Sequence, residues 1–211
     1  MTNIEDIPEL TMNFQSNYHS TLLEAQHLDL QIDGKNLFKD LNLVVKNHGI
    51  VSLEGKNGSG KSTFLKMLLN KPFSVTYQGK YELANGLSIS YLPQNFTEYH
   101  GTLHNFAYEH KISYEELLNN LKKMGFPRAS FVTPIEEMSM GQQKRVALAK
   151  SLVEPADLYL WDEPANYLDV FNQNQLIELL KKVKPAMLLI EHDEYFIEQV
   201  TDHRVRLDIA E

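Results

Sequence analysis

Apolar and polar residues alternate with a period of two early in the chain. Leu28, Leu30 and Ile32 alternate with His27, Asp29 and Gln31, and Leu41, Leu43 and Val45 repeat the pattern. Both stretches predict half-buried strands, and Asp33-Gly34 between them predicts a hairpin turn. The pattern then changes. Ile50-Val51-Ser52-Leu53, Leu158-Tyr159-Leu160-Trp161 and Met187-Leu188-Leu189-Ile190 are short, nearly continuous apolar runs, as expected of strands buried on both faces. Helical segments lie between them. One follows from Phe64. A stretch over 103–121 places Leu117, Leu118 and Leu121 on one face and is broken by Gly125-Phe126-Pro127. Others run roughly over 143–153, closed by Glu154-Pro155, and over 173–182. Residues 72–86 predict strand and turn, 87–92 an alternating strand, and 204–207 a final edge strand.

The sum predicts an α/β fold: a mainly parallel core sheet flanked by helices, an antiparallel β layer, and a small helical lobe at about 96–150. Residues 1–20 are polar and irregular, with Pro8. They are expected to be a linker or a lead-in that packs on the domain 21–211.

Candidate chemistry sits where the first apolar run ends. Gly55, Gly60, Lys61 and Ser62 meet the spacing G-x-x-x-x-G-K-[ST] between a strand and a helix start. Glycine lets the backbone curl so that N–H groups face a phosphate chain, and the helix adds its positive N-terminal end. The candidate nucleotide contacts are Gly55, Asn57, Gly58, Ser59, Gly60, Lys61, Ser62 and Thr63. Lys61 is placed to reach the β- and γ-phosphates and the Ser62 hydroxyl to hold Mg²⁺. Asp162 and Glu163 end the second apolar run, where adjacent carboxylates divide two tasks, one holding Mg²⁺ and one polarising the attacking water. Taken alone, the pair also reads as a solvated acidic turn capping a helix, the weaker of the two readings and weaker still beside a phosphate loop. Parallel sheets bind ligands at the carboxyl ends of their strands, and Gly55, Asp162 and His192 all fall there.

Composition adds exclusions. The chain has 211 residues, no cysteine and a formal net charge of −8. Disulfides and thiolate metal sites are excluded, and the charge argues against a nonspecific grip on DNA. No apolar run approaches the length of a membrane span, and the acidic, polar opening 1–6 is not a signal peptide. A cytoplasmic protein with no direct membrane insertion is expected.

The order of motifs carries a resemblance. The phosphate loop, Gln94, Ser139-Met140-Gly141-Gln142, Asp162-Glu163-Pro164, Asp169 and His192 together resemble the nucleotide-binding domain of ATP-binding-cassette (ABC) proteins, a P-loop NTPase cassette, over residues 22–207. The resemblance implies an Mg²⁺-dependent ATPase, weak as an isolated domain. It assigns Asp162 and Ser62 to the metal, Gln94 to the metal and the water, Glu163 to the general base and His192 to the γ-phosphate. Ser139, Gly141 and Gln142 resemble the signature loop that binds a nucleotide held by a second cassette, and Asp169 the loop crossing between cassettes. Two residues depart from the family pattern. Met140 stands where glycine is usual, which implies crowding against the opposite γ-phosphate. Ile32 stands where an aromatic often stacks on adenine, with Phe38 further on, which implies loose base selectivity.

The run D-E-P-A-N-Y-L-D over 162–169 resembles the soluble ABC-F branch, and its neighbours resemble the antibiotic-resistance members. Those carry two cassettes in one chain and act on the ribosome, so this chain resembles the second, C-terminal cassette. The partners implied are a second cassette, in the same chain or as a second copy of this one, and the ribosome. A transporter's ATP-driving subunit and a module that binds ATP without turnover remain as alternatives.

Overall fold

The computed structural model describes residues 7–71 and 74–209, the side chains of 208 and 209 excepted. The opening 1–6 and Pro72, assigned above from sequence, lie outside the described residues. Two sheets stack. The antiparallel sheet has the order β4-β1-β2-β9, with β1 Thr21–Ile32, β2 Lys35–Lys46, β4 Val75–Leu83 and β9 Asp208–Ile209. The parallel sheet has the order β5-β6-β7-β3-β8, with β3 Ile50–Glu54, β5 Ile89–Leu92, β6 Leu158–Asp162, β7 Met187–Ile190 and β8 His203–Arg206.

The three apolar runs are continuous because each of those strands feeds two cores. Leu158, Leu160, Leu188 and Ile190 face the core shared with β1, β2 and helix α1 (Lys61–Leu68). Tyr159, Trp161, Met187 and Leu189 face the core under the other helices. Those are α2 Leu103–Glu109, α3 Tyr114–Lys123, α4 Met140–Val153, α5 Val170–Val183 and α6 Glu194–Val200.

Side-chain caps move several boundaries away from their expected places. The helical stretch 103–121 is two helices, because Ser113 caps a new N-terminus after Lys111 takes a left-handed backbone. Helix α4 starts at Met140 rather than near 143, because Ser139 and Gln142 form a reciprocal capping box. Helix α5 starts at Val170 rather than near 173, because Asp169 accepts the Asn172 N–H. Helix α6, capped by Asp193, has no counterpart in the expected elements. The final strand β8 is an edge, as expected, paired parallel to β3, and the chain then continues into β9 beside Phe38.

The lead-in packs on the domain. Leu10 is buried, Phe14 bridges to Ala156, and Asn120 of α3 exchanges three hydrogen bonds with Thr11. Gln175 of α5 donates to the Pro8 carbonyl and Asn17 to the Asp157 carboxylate. The segment ties the helical lobe to the parallel sheet.

Candidate nucleotide and metal site

The loop after β3 turns on two glycines. Gly58 and Gly60 have φ of 80° and 92°, which favour glycine. A Cβ on Gly60 would also sit 2.8 Å from Leu37 Cβ. The turn delivers Lys61 into the loop, where its ammonium donates to the Gly55 and Lys56 carbonyls at 2.7 and 2.8 Å and to Ser59 Oγ at 3.4 Å. Burial pulls the Lys61 pKa down, and Asp162 and Glu163 oppose that shift. A cation held against carbonyl oxygens beside open space is poised to exchange them for phosphate oxygens.

That space is a pocket of about 440 Å³. It gathers Asn57, Gly58, Gly60, Lys61, Ser62, Thr63, Gln94, Glu163 and His192, with Leu37 and Ile190 as apolar walls. A second pocket of about 310 Å³ shares Ser62 and Gln94 with it and contains Asp162. Ser62 and Gln94 therefore stand between the phosphate loop and the buried carboxylate.

Asp162 ends β6 and is almost wholly buried, and neither of its carboxylate oxygens has a hydrogen-bond partner among the described residues. Burial pushes its pKa up, the nearby Ser62 hydroxyl lowers it, and Glu163 raises it further. An orphaned buried carboxylate is costly. Beside a hydroxyl and a pocket, it is a donor set fitting a hard divalent cation such as Mg²⁺.

Glu163 is held unusually. Its φ is +54°, a left-handed backbone in a non-glycine residue. Asn166 donates to Glu163 twice, from its N–H to the Glu163 carbonyl at 3.3 Å and from its side-chain amide to Oε2 at 3.5 Å, and three further contacts maintain Glu163. Its N–H donates to the Ile190 carbonyl at 2.7 Å, its carbonyl accepts from Lys144 Nζ, and Oε1 lies 3.2 Å from His192 Nε2. The buried Glu191 shapes the His192 turn, accepting from the His192 and Asp193 N–H groups and, on its other oxygen, from Ala165 N–H.

The remaining candidates lie apart from this pocket. Ser139 and Gln142 are occupied in the α4 capping box, and Gln142 also donates to Ser130 at 3.0 Å. Gly141 packs so close that a Cβ would lie 3.2 Å from the Tyr167 carbonyl. Asp169 caps α5 and pairs with Arg145 at 3.4 Å. Met140, Tyr167, Val170 and Phe171 are exposed near these groups. Ile32 closes β1 against Lys35 and Val75 and does not line the phosphate pocket. Phe38 is fully buried against Phe64, so it does not fold over the site. Leu37, its exposed-side neighbour, is the side chain that lines the pocket.

Three residues of the arrangement have no individual role that the sequence assigns, although Lys144 and Arg145 lie in the 141–146 run that resembles the antibiotic-resistance members. Lys144 and Arg145 look like solvated charges within a helix, and Glu191 like part of an acidic turn. The one available signal was position: Glu191 directly follows a buried apolar run, as Asp162 follows the last of another.

Fold and site together define a nucleotide-binding cassette of the ATPase kind. The chain belongs to the ABC transporter family, whose profile matches residues 38–166. It is 30% identical to the ribosome protection protein VmlR of Bacillus subtilis over 94% of this chain and 37% of that protein. It is 33% identical to an uncharacterized ABC transporter ATP-binding protein of Haemophilus influenzae, over 82% of this chain and 76% of that protein. Among solved structures, the archaeal ribosome recycling factor aABCE1, in complex with the stalk protein aP1, aligns with a TM-score of 0.72 at 27% identity. That alignment covers 93% of this chain and 38% of that one. The chain spans less than half the length of VmlR and of aABCE1.

Proposed function

We propose that this chain is the ATP-hydrolysing, C-terminal cassette of a cytoplasmic ABC-F protein, in which ATP drives two cassettes together and the closed pair acts on the ribosome. Antibiotic resistance by ribosomal protection is the biological role proposed. The observation that carries the catalytic part is the convergence of Lys61, Gln94, Glu163 and His192 on one pocket beside the orphaned Asp162. Ser62 and Asp162 would hold Mg²⁺, with Gln94 at the edge of its shell. The ion would neutralise charge on the β- and γ-phosphates. Lys61 leaves the loop carbonyls for those phosphates. Glu163 accepts the proton of the attacking water, and His192 steadies its carboxylate and faces the γ-phosphate.

The ribosomal part rests on the 162–169 run and on the likeness to VmlR along nearly the whole chain. The exposed 139–141 helix start and Asp169 lie outside the chain's own phosphate pocket, which suits a loop offered to a second cassette's nucleotide. The Haemophilus relative favours a second reading, an ATP-driving transporter subunit.

Full-length protein bearing Glu163→Gln separates the two. Retention on sedimenting ribosomes that requires ATP is expected. Copurification with a membrane complex, with no ribosomal retention, would establish the transporter reading instead.

A further inference from the structure

The first turns of α4 grip the segment that follows Asp162 at three places. At its middle, Gly141 lies against the Tyr167 carbonyl, with room for no more than a strained Cβ at 3.2 Å. At its far end, Arg145 donates to Asn172 Oδ1 at 2.8 Å and pairs with Asp169, which itself caps α5. At its near end, Lys144 reaches the Glu163 carbonyl. Lys144 is 1% exposed, among the most buried charged residues described. Its ammonium lies 5.5 Å from the Phe96 ring and faces the negative groups Glu191, Asp162 and Glu163. A buried ammonium costs several kcal/mol unless its hydrogen bonds repay it. This one spends a hydrogen bond on the backbone of a single residue, the one whose φ is +54°.

We infer that Lys144 is a positioning residue: it holds the backbone of Glu163 against the helix that starts at the 139–141 loop, so that the carboxylate of the chain's own site and the loop offered to a partner's nucleotide move as one piece. The inference rests on the ATPase reading above. Left-handed backbone in a non-glycine residue persists only where its surroundings over-determine it. With the Lys144 bond removed, the Glu163 carbonyl keeps only the longer Asn166 N–H contact at 3.3 Å, so the peptide relaxes and its carboxylate leaves the line of attack, while Lys61, Ser62 and the phosphate loop stay in place. Binding and turnover therefore separate.

The test uses the full-length protein, which on the reading above supplies the second cassette, with Mg-ATP. Lys144→Met keeps the volume and removes the donor, and Lys144→Gln restores a neutral donor. Lys144→Met is expected to keep KM and ATP affinity within about twofold while kcat falls at least tenfold, and Lys144→Gln to recover most of the loss. Unchanged kcat in Lys144→Met would overturn the inference. So would parallel loss of ATP binding and of melting temperature in both variants, because that is the behaviour of a packing residue. Absence of turnover in the unaltered full-length protein would overturn the ATPase reading and this inference with it.

Discussion

Asp162 shows how function is built at a cost to stability. Burial with no hydrogen-bond partner disfavours its charged form and raises its pKa from the ordinary 3.8. The sign follows from proton binding. A carboxyl with a raised pKa holds more protons folded than unfolded, so stability falls as pH rises through 3.8 and the deficit is largest above the folded pKa. Asp162→Asn is therefore expected to stabilise the nucleotide-free chain at neutral pH, by about 1–3 kcal/mol. Under the proposed reading the same change would remove the metal carboxylate, so it should erase the stabilisation expected of Mg-ATP on the unaltered chain. Thermal melts in EDTA and in Mg-ATP measure both. A lower melting temperature in EDTA would mean that Asp162 is satisfied in the folded chain. This residue was legible in the sequence because a strand end beside a phosphate loop has few other uses for a carboxylate. Lys144 was not, since it is buried against Phe96 and the Glu163 carbonyl, contacts distant in sequence that no local pattern encodes.

At the scale of elements, local signals served well wherever the chain's own residues decide the geometry. The hairpin at Asp33-Gly34, the three apolar strands and the phosphate-loop helix all lie where pattern and turn chemistry place them. Misses arose where a cap decides a helix start, as at Ser139 and Asp169, and where an element is short, as in α6. The pairing of β1 with β4 was also beyond local pattern. It contains a bulge between Gln26 and Asp29, opposite Gly79. Gly79 has a φ of +88°, and a Cβ there would lie 2.1 Å from the His27 carbonyl oxygen. Gly79→Ala should cost roughly 2–4 kcal/mol in urea unfolding, through strain and the forced opening of the bulge. Gly86 has a similar φ of +73° with nothing near its Cβ, so Gly86→Ala should cost only about 1 kcal/mol. Equal losses in the two variants would show that the β1–β4 contact contributes little to the fold.

For the whole molecule, the arrangement separates two half-sites. The phosphate loop, Asp162, Glu163 and His192 open on one pocket, and the 139–141 loop with Asp169 forms a separate, exposed corner. The resemblance read from the sequence assigns the 139–141 loop to a nucleotide held by a second cassette, and in the structure that loop stands apart from the phosphate-loop pocket. Under the proposed reading, a second cassette would complete the site by bringing its own 139–141 corner to this pocket. Such a pair has two-fold symmetry when both cassettes are copies of this chain. Met140 is exposed at this corner, and under the proposed reading it would narrow the approach of the opposite γ-phosphate, so a pair of identical copies should close less readily than a pair with a different cassette.

Glu163→Gln tests the central claim most directly. The substitution keeps the shape of the side chain and leaves Asp162 and Lys61 in place, but the amide cannot accept the proton of the attacking water. The account predicts ATP affinity within about twofold of the unaltered chain and turnover lower by at least about a hundredfold. A larger species should also appear on size exclusion in ATP and disappear in ADP, either the chain paired with itself or the chain paired with the other cassette of its full-length protein. Turnover in Glu163→Gln equal to that of the unaltered chain would contradict it.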